Sequence, residues 1–172
     1  MIKKKIPKEL KNECWNWLQS NNMGNRSEFN GKRKQQLGGL IGEIMVKQLF
    51  RIEHEWKNGF DGGFDFEYKG KKIDVKTQLR KTDVQSYYVN NVYPLQFQNN
   101  FDVYLFASVN EKKSELTICG WIYKSDVLKL VDDLTLKLIP KGTTIGHSFL
   151  RESTVDSYGI GMEHLNDIKT PW

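Results

Sequence analysis

A chain of 172 residues, 38% hydrophobic and 12% aromatic, is the size of one domain with a sizeable core, which argues against disorder. No apolar run approaches the roughly 20 residues that span a bilayer. Cys14 and Cys119 are too few for a disulfide framework and lack metal-ligand spacing, so a reducing cytoplasm is the expected compartment. The net charge of +5 permits a polyanionic partner without requiring one.

The chain opens on a basic segment, Met1 to Pro7, with no following apolar stretch of the signal-peptide kind. Lys8 to Leu18 is expected to be a first helix, with Leu10, Cys14, Trp15 and Leu18 at helical spacing. Asn21 to Arg33 is polar and rich in Gly and Asn, hence a loop. Gln35 to Phe50 predicts a second helix, whose apolar stripe is Leu37, Leu40, Ile41, Ile44, Met45 and Leu49. Gly38, Gly39 and Gly42 each cost that helix up to about 1 kcal/mol relative to Ala. Such a helix needs close approach to a sheet, another helix or a ligand, and the small residues beside Glu43 favour a Glu facing the sheet.

Ile52 to Lys57 is expected to be a first strand, and about Phe64 to Leu79 a β-hairpin. Lys69-Gly70 suits its two-residue turn, because Gly takes φ > 0 without steric cost. That turn pairs Tyr68 with Lys71, Glu67 with Lys72, Phe66 with Ile73 and Asp65 with Asp74. Alternation puts Phe64, Phe66, Ile73 and Val75 on an apolar face, and Asp65, Glu67, Lys72, Asp74 and Lys76 on a polar one. Glu67 opposite Lys72 is a favourable pair. Asp65 opposite Asp74 is not, since directly opposed side chains lie roughly 4.5–5.5 Å apart and like charges there repel. A divalent cation with a preference for carboxylate oxygen, Mg²⁺ or Mn²⁺, would relieve that repulsion. A solvated face with splayed aspartates is the plainer alternative, and Lys76 beside the pair weighs against it. Asp61, in a turn-rich stretch, rivals Asp65, which is favoured because it alone pairs with Asp74.

Gln85 to Asn100 reads either as an irregular edge strand or as a loop whose Tyr, Asn and Gln touch nucleic acid, the first being favoured. Phe101 to Val109 and Leu116 to Tyr123 are expected buried strands joined by a turn at Glu111 to Ser114. Ser125 is expected to cap a short helix to about Leu134. Beyond Pro140, Ile145, Phe149, Tyr158 and Ile160 are expected anchors. His54, His147 and His164 stand isolated, and no Gly-rich phosphate loop points to an ATPase.

The sequence Gly39-Leu40-Ile41-Gly42-Glu43 on a helix, Asp65 opening a strand and Asp74-Val75-Lys76 on the next resembles the PD-(D/E)xK nuclease superfamily. The match covers about residues 35 to 80. It departs from the family pattern in lacking a proline before Asp65, in carrying Asp74 where Glu is commoner, and in having no clean helix after the triplet strand. The resemblance implies a restriction-endonuclease-like α/β fold: one domain, a central mixed sheet flanked by helices and a motif-bearing core at about 35–135. It implies that Asp65, Asp74 and the Val75 carbonyl bind Mg²⁺ or Mn²⁺, that Glu43 holds metal-bound water or a second ion, and that Lys76 orients the attacking water and stabilises charge on the phosphate. Glu43, Asp65, Asp74 and Lys76 are thus the expected catalytic set of a Mg²⁺-dependent deoxyribonuclease of restriction, repair or junction-resolving type. Basic clusters flank the acidic centre, and DNA contacts are expected from Arg33, Lys72, Gln78, Arg80 and Lys81. A homodimer would suit double-strand cleavage; no membrane partner is expected. The competing expectation is a non-catalytic nucleic-acid-binding or protein-interaction module on the same fold.

Overall fold

The structure, a computed structural model, describes residues 1–21, 23, 32–56, 62–145, 151–153 and 155–169. Asp61, His147 and Phe149, and most of the expected loop before Arg33, lie outside the described residues. The chain forms a single-domain α/β fold. Its main sheet is built from β1 (Ile2–Lys5), β2 (Phe66–Tyr68), β3 (Lys71–Arg80), β5 (Val103–Asn110) and β6 (Glu115–Tyr123). The strand order is β1-β6-β5-β3-β2, and β3–β5 is the parallel pair in an otherwise antiparallel ladder. A smaller sheet joins β4 (Val89–Val92), β10 (Ser157–Gly161) and β7 (Leu138–Ile139), while β8 (Thr144–Ile145) pairs with β9 (Arg151–Glu152). No helix among the described residues is long and apolar enough to cross a membrane.

Two cores sandwich the main sheet. On one face α1 (Lys8–Ser20) and α2 (Arg33–Leu49) bury Leu10, Cys14, Leu18, Leu40, Ile41 and Ile44 against Phe66, Ile73, Val103 and Leu105. On the other, α3 (Lys124–Asp132) and the small sheet cover Tyr104, Phe106 and Ile122 with Val127, Val92 and Ile160. Strand alternation assigns the sides of β3: Ile73, Val75 and Leu79 pack with the helices, so Asp74, Lys76, Gln78 and Arg80 point to the opposite face.

The glycines of α2 explain how tightly it lies on that strand. A Cβ on Gly38 would come 2.8 Å from Leu79 Cγ, and one on Gly42 would come 2.8 Å from Thr77 Cβ. Gly39 faces open space. The helix gives up propensity at Gly38 and Gly42 so that its backbone can rest on β3. Its N-terminus is closed by the Gln35 side chain, which accepts a hydrogen bond from the Lys32 backbone N–H at 2.8 Å.

Several elements differ from expectation. Ile52 to Trp56 is irregular rather than a strand, and the basic Ile2–Lys5 segment supplies an edge strand instead, pairing with Glu115 to Ile118. Trp15 is exposed although it falls at helical spacing, and Trp17 packs on the core in its place. Phe64 packs against the far core, whereas Phe66 belongs to the core under the helices. Gly62 and Gly63 at φ 85° and 93° bring the chain in on an irregular path, so alternation begins only at β2. Tyr123, not Ser125, occupies the cap position of α3, and no side chain caps it. Gln85 to Asn100 contributes β4 to the smaller sheet, followed by a 3₁₀ turn at Pro94–Gln96.

Gly42→Ala is expected to lower stability by about 1–3 kcal/mol, because the added methyl meets the Thr77 side chain on a packed strand. Gly39→Ala should instead be neutral or stabilising by up to about 1 kcal/mol. Urea unfolding of the two variants beside wild type checks both signs.

Candidate functional site

The hairpin adopts three of the four pairs read from its turn, Phe66 with Ile73, Glu67 with Lys72 and Tyr68 with Lys71, with Lys69 and Gly70 at φ 49° and 72°; the expected Asp65–Asp74 pair is not part of the ladder, because β2 begins at Phe66. The ladder stops there. β2 covers only the first three residues of β3, and from Asp74 onward that side of β3 carries no strand among the described residues. Asp65 lies at this edge. Its backbone N–H donates to the Ile73 carbonyl at 2.8 Å, and its carboxylate Oδ2 accepts from the Val75 backbone N–H at 2.6 Å. The carboxylate of Asp65 is therefore seated on the peptide joining Asp74 to Val75, inside the Asp-Val-Lys triplet. That hydrogen bond is of the short, charge-assisted kind.

Asp74 is buried, and its carboxylate grips Lys76 through both oxygens, at 2.8 Å (Oδ1) and 2.6 Å (Oδ2). Residues i and i+2 of a strand share a face, which is what lets the two meet. The neighbouring strand supplies the floor: Tyr104 stands in register with Asp74, and Phe106 with Lys76. Tyr104 is fully buried, and its hydroxyl has no hydrogen-bond partner among the described residues. Burial, and secondarily the Asp74 charge, push its phenol well above the usual range. An ionic pair in such surroundings needs its partner, since removing either charge strands the other in a low-dielectric pocket.

Glu43 projects from α2 on the helix side of the sheet, with its side chain only 12% exposed. Lys47, one turn on, places Nζ 2.6 Å from Oε1, and His54 Nδ1 faces the same oxygen at 3.4 Å. Burial works to raise the carboxyl pKa; His54 and Lys47 together outweigh it and hold Glu43 below the ordinary carboxylate value. Glu43 and Asp65 line one cavity of about 330 Å³, together with Trp17, Leu40, Lys47, His54, Phe64 and Phe66.

Of the expected catalytic set, then, the fold joins the residues in two pairs. Glu43 and Asp65 share the cavity, while Asp74 and Lys76 share an ion pair on the other face, and Asp65 bridges the two through the Val75 amide. No group of three or more His, Cys, Asp or Glu side chains that could hold a metal gathers among the described residues.

The expected DNA-contacting residues are dispersed. Arg33 donates to the Leu18 and Asn21 carbonyls at the end of α1. Lys72 lies over the Phe64 ring at 5.1 Å. Arg80 donates to Gln78 Oε1 and to the Val89 carbonyl, and its guanidinium covers Tyr88 at 4.3 Å. Lys81 is exposed at the end of β3. Lys47 and His54 were not among the expected site residues. The i, i+4 spacing of Glu43 and Lys47 was a legible signal, whereas His54 follows the helix in an irregular segment that carries none.

No family model, no curated protein and no solved structure matches this chain. Its functional reading rests on the residues and contacts above.

Because Glu43 has a depressed pKa in the folded state, the stability it contributes is present above its ordinary value of 4.5 and is lost as pH falls through the lower folded value. The stability gap between wild type and Glu43→Gln should therefore be constant near neutrality and close as the pH drops below the ordinary value. Denaturant titrations of both proteins across the acid range measure it; a gap independent of pH would contradict the assignment.

Proposed function

We propose that this chain is a metal-dependent nuclease that hydrolyses phosphodiester bonds in DNA, on a fold of the restriction-endonuclease-like kind. The observation that carries the reading is the seat of the Asp65 carboxylate on the Val75 amide. It brings the acid that opens the hairpin onto the Asp74-Val75-Lys76 triplet, at a strand edge left open by the short β2. The mixed sheet with α2 laid across β3, and Glu43 of that helix in one cavity with Asp65, support it further.

The donor chemistry fits a hard divalent cation. Glu43 is kept ionised by its depressed pKa, and among the described residues Lys47 and His54 both approach Oε1. Glu43 and Asp65, which share the cavity, and the Val75 carbonyl are the groups that would hold Mg²⁺ or Mn²⁺, and Asp74 would join them only on giving up Lys76. When bound, such an ion lowers the pKa of its water and offsets phosphate charge. Lys76 has a different part. Its ammonium neutralises Asp74 in the structure; in the proposed reaction it would exchange that partner for a phosphate oxygen, where a fixed cation stabilises developing charge without changing protonation. Phe64 and Phe66 both line the cavity. Arg80, Lys81 and Lys72 place positive charge along the same hairpin and strand, suited to a phosphate backbone. A pair of such chains would cut both strands of a duplex.

One specific observation favours a second reading. Asp74 is already neutralised by Lys76, and the described carboxylates do not gather as a ready metal cluster, as in a non-catalytic DNA-binding or protein-interaction module.

Plasmid, linear, single-stranded and four-way-junction DNA incubated with the protein in Mg²⁺, Mn²⁺ or EDTA separates the two. The expected result is cleavage that requires the metal and falls by at least about 100-fold in Asp74→Asn and in Lys76→Ala. Binding without cleavage in every metal would establish the module instead, and cleavage surviving EDTA or both substitutions would remove the proposed chemistry.

A further inference from the structure

His54 is a residue the nuclease reading does not use, yet it is among the most constrained polar groups of the cavity. Its side chain is 11% exposed, and Trp56 meets its ring edge-to-face at 4.8 Å and 87°. Both ring nitrogens are buried, and neither makes a well-formed hydrogen bond among the described residues. Nδ1 stands 3.4 Å from Glu43 Oε1, an ion-pair contact longer than a well-formed hydrogen bond. A buried imidazole with two unsatisfied nitrogens is destabilising, and a phenyl ring would fill the same space without that cost. Packing alone does not account for the residue.

We propose that His54 is a positioning residue for Glu43, closing onto Oε1 beside Lys47 so that Oε2 is left for the divalent cation the cavity would take up. The inference rests on the nuclease reading and adds to it a device for fixing the helix carboxylate. Lys47 alone cannot set the orientation of Glu43. A single ammonium is a point charge without directional preference, so its contact on Oε1 does not by itself select which way Oε2 turns. A second donor on the same oxygen, carried by a ring clamped on Trp56, removes that freedom. With a divalent cation bound, His54 would hold Oε1 in place while Oε2 served the ion. Outer partners of this kind hold metal-binding side chains in place in many sites.

The test uses the whole protein and Mn²⁺ as the probe. Mn²⁺ binding is followed by electron paramagnetic resonance and calorimetry in wild type, His54→Phe, His54→Asn and Asp65→Asn. His54→Phe, which keeps the ring and deletes both nitrogens, should melt at or above the wild-type temperature and bind Mn²⁺ about tenfold more weakly. His54→Asn, whose amide can stand where Nδ1–H stood, should recover most of that loss. Nitrogen-15 spectra of wild type should also show a protonated His54 Nδ1 whose shift moves on adding Mg²⁺ and does not move in Glu43→Gln. Mn²⁺ affinity in His54→Phe within twofold of wild type, while Asp65→Asn abolishes binding, would overturn this inference and leave the nuclease reading standing. Wild type that binds no Mn²⁺ would overturn both. A His54 Nδ1 resonance indifferent to Mg²⁺ would overturn the inference even if no His54 variant folds.

Discussion

The close seating of α2 on β3 governs the rest of this architecture. Gly38 against Leu79 and Gly42 against Thr77 bring helix backbone and strand side chains closer than any larger residue would allow. With the helix held there, Glu43, the next residue after Gly42, is set at the sheet surface and away from bulk solvent. Its burial then has to be offset, and Lys47 and His54 do so. One steric requirement on two glycines thus fixes the position, the neighbours and the ionisation of the helix carboxylate.

A second constraint is the mismatch in strand length. β3 runs from Lys71 to Arg80, whereas its partner β2 spans only Phe66 to Tyr68. A strand left open on one side presents unpaired backbone groups, which proteins ordinarily cap or cover. Here the Asp65 carboxylate caps the Val75 N–H. That capping also takes an anion to the edge at the point where Asp74 and Lys76 emerge on one face and Glu43 approaches from the other.

The buried Asp74–Lys76 pair illustrates how the second layer changes the character of a strand. On an isolated hairpin these residues would lie on a solvated face. With Tyr104 and Phe106 beside them and the β4-β10-β7 sheet and α3 covering that side, their charges sit where Coulomb attraction is stronger and desolvation costlier. The pair is therefore poised: stable while intact, and responsive to any other cation that competes for Asp74 or any anion that competes for Lys76.

Local patterns alone account for much of this. Periodicity located α1 and α2, the apolar runs located β5 and β6, and Lys69-Gly70 set the hairpin register, because helix spacing, strand burial and turn chemistry act over a few neighbouring residues. The need for close contact at the α2 glycines was legible for the same reason, since glycine inside a helix is costly unless something approaches it. Tertiary structure decided what local patterns do not encode. It recruited Ile2 to Lys5 as an edge strand on β6, left Ile52 to Trp56 irregular, and packed Phe64 against the far core. It also put Glu43 and the Asp74–Lys76 pair on opposite faces, with Asp65 between them, and brought His54 to Glu43. Each of these depends on which distant surfaces meet and where β2 ends. Such choices are made by the packing of the whole sheet between its two cores, and no short stretch of residues contains them.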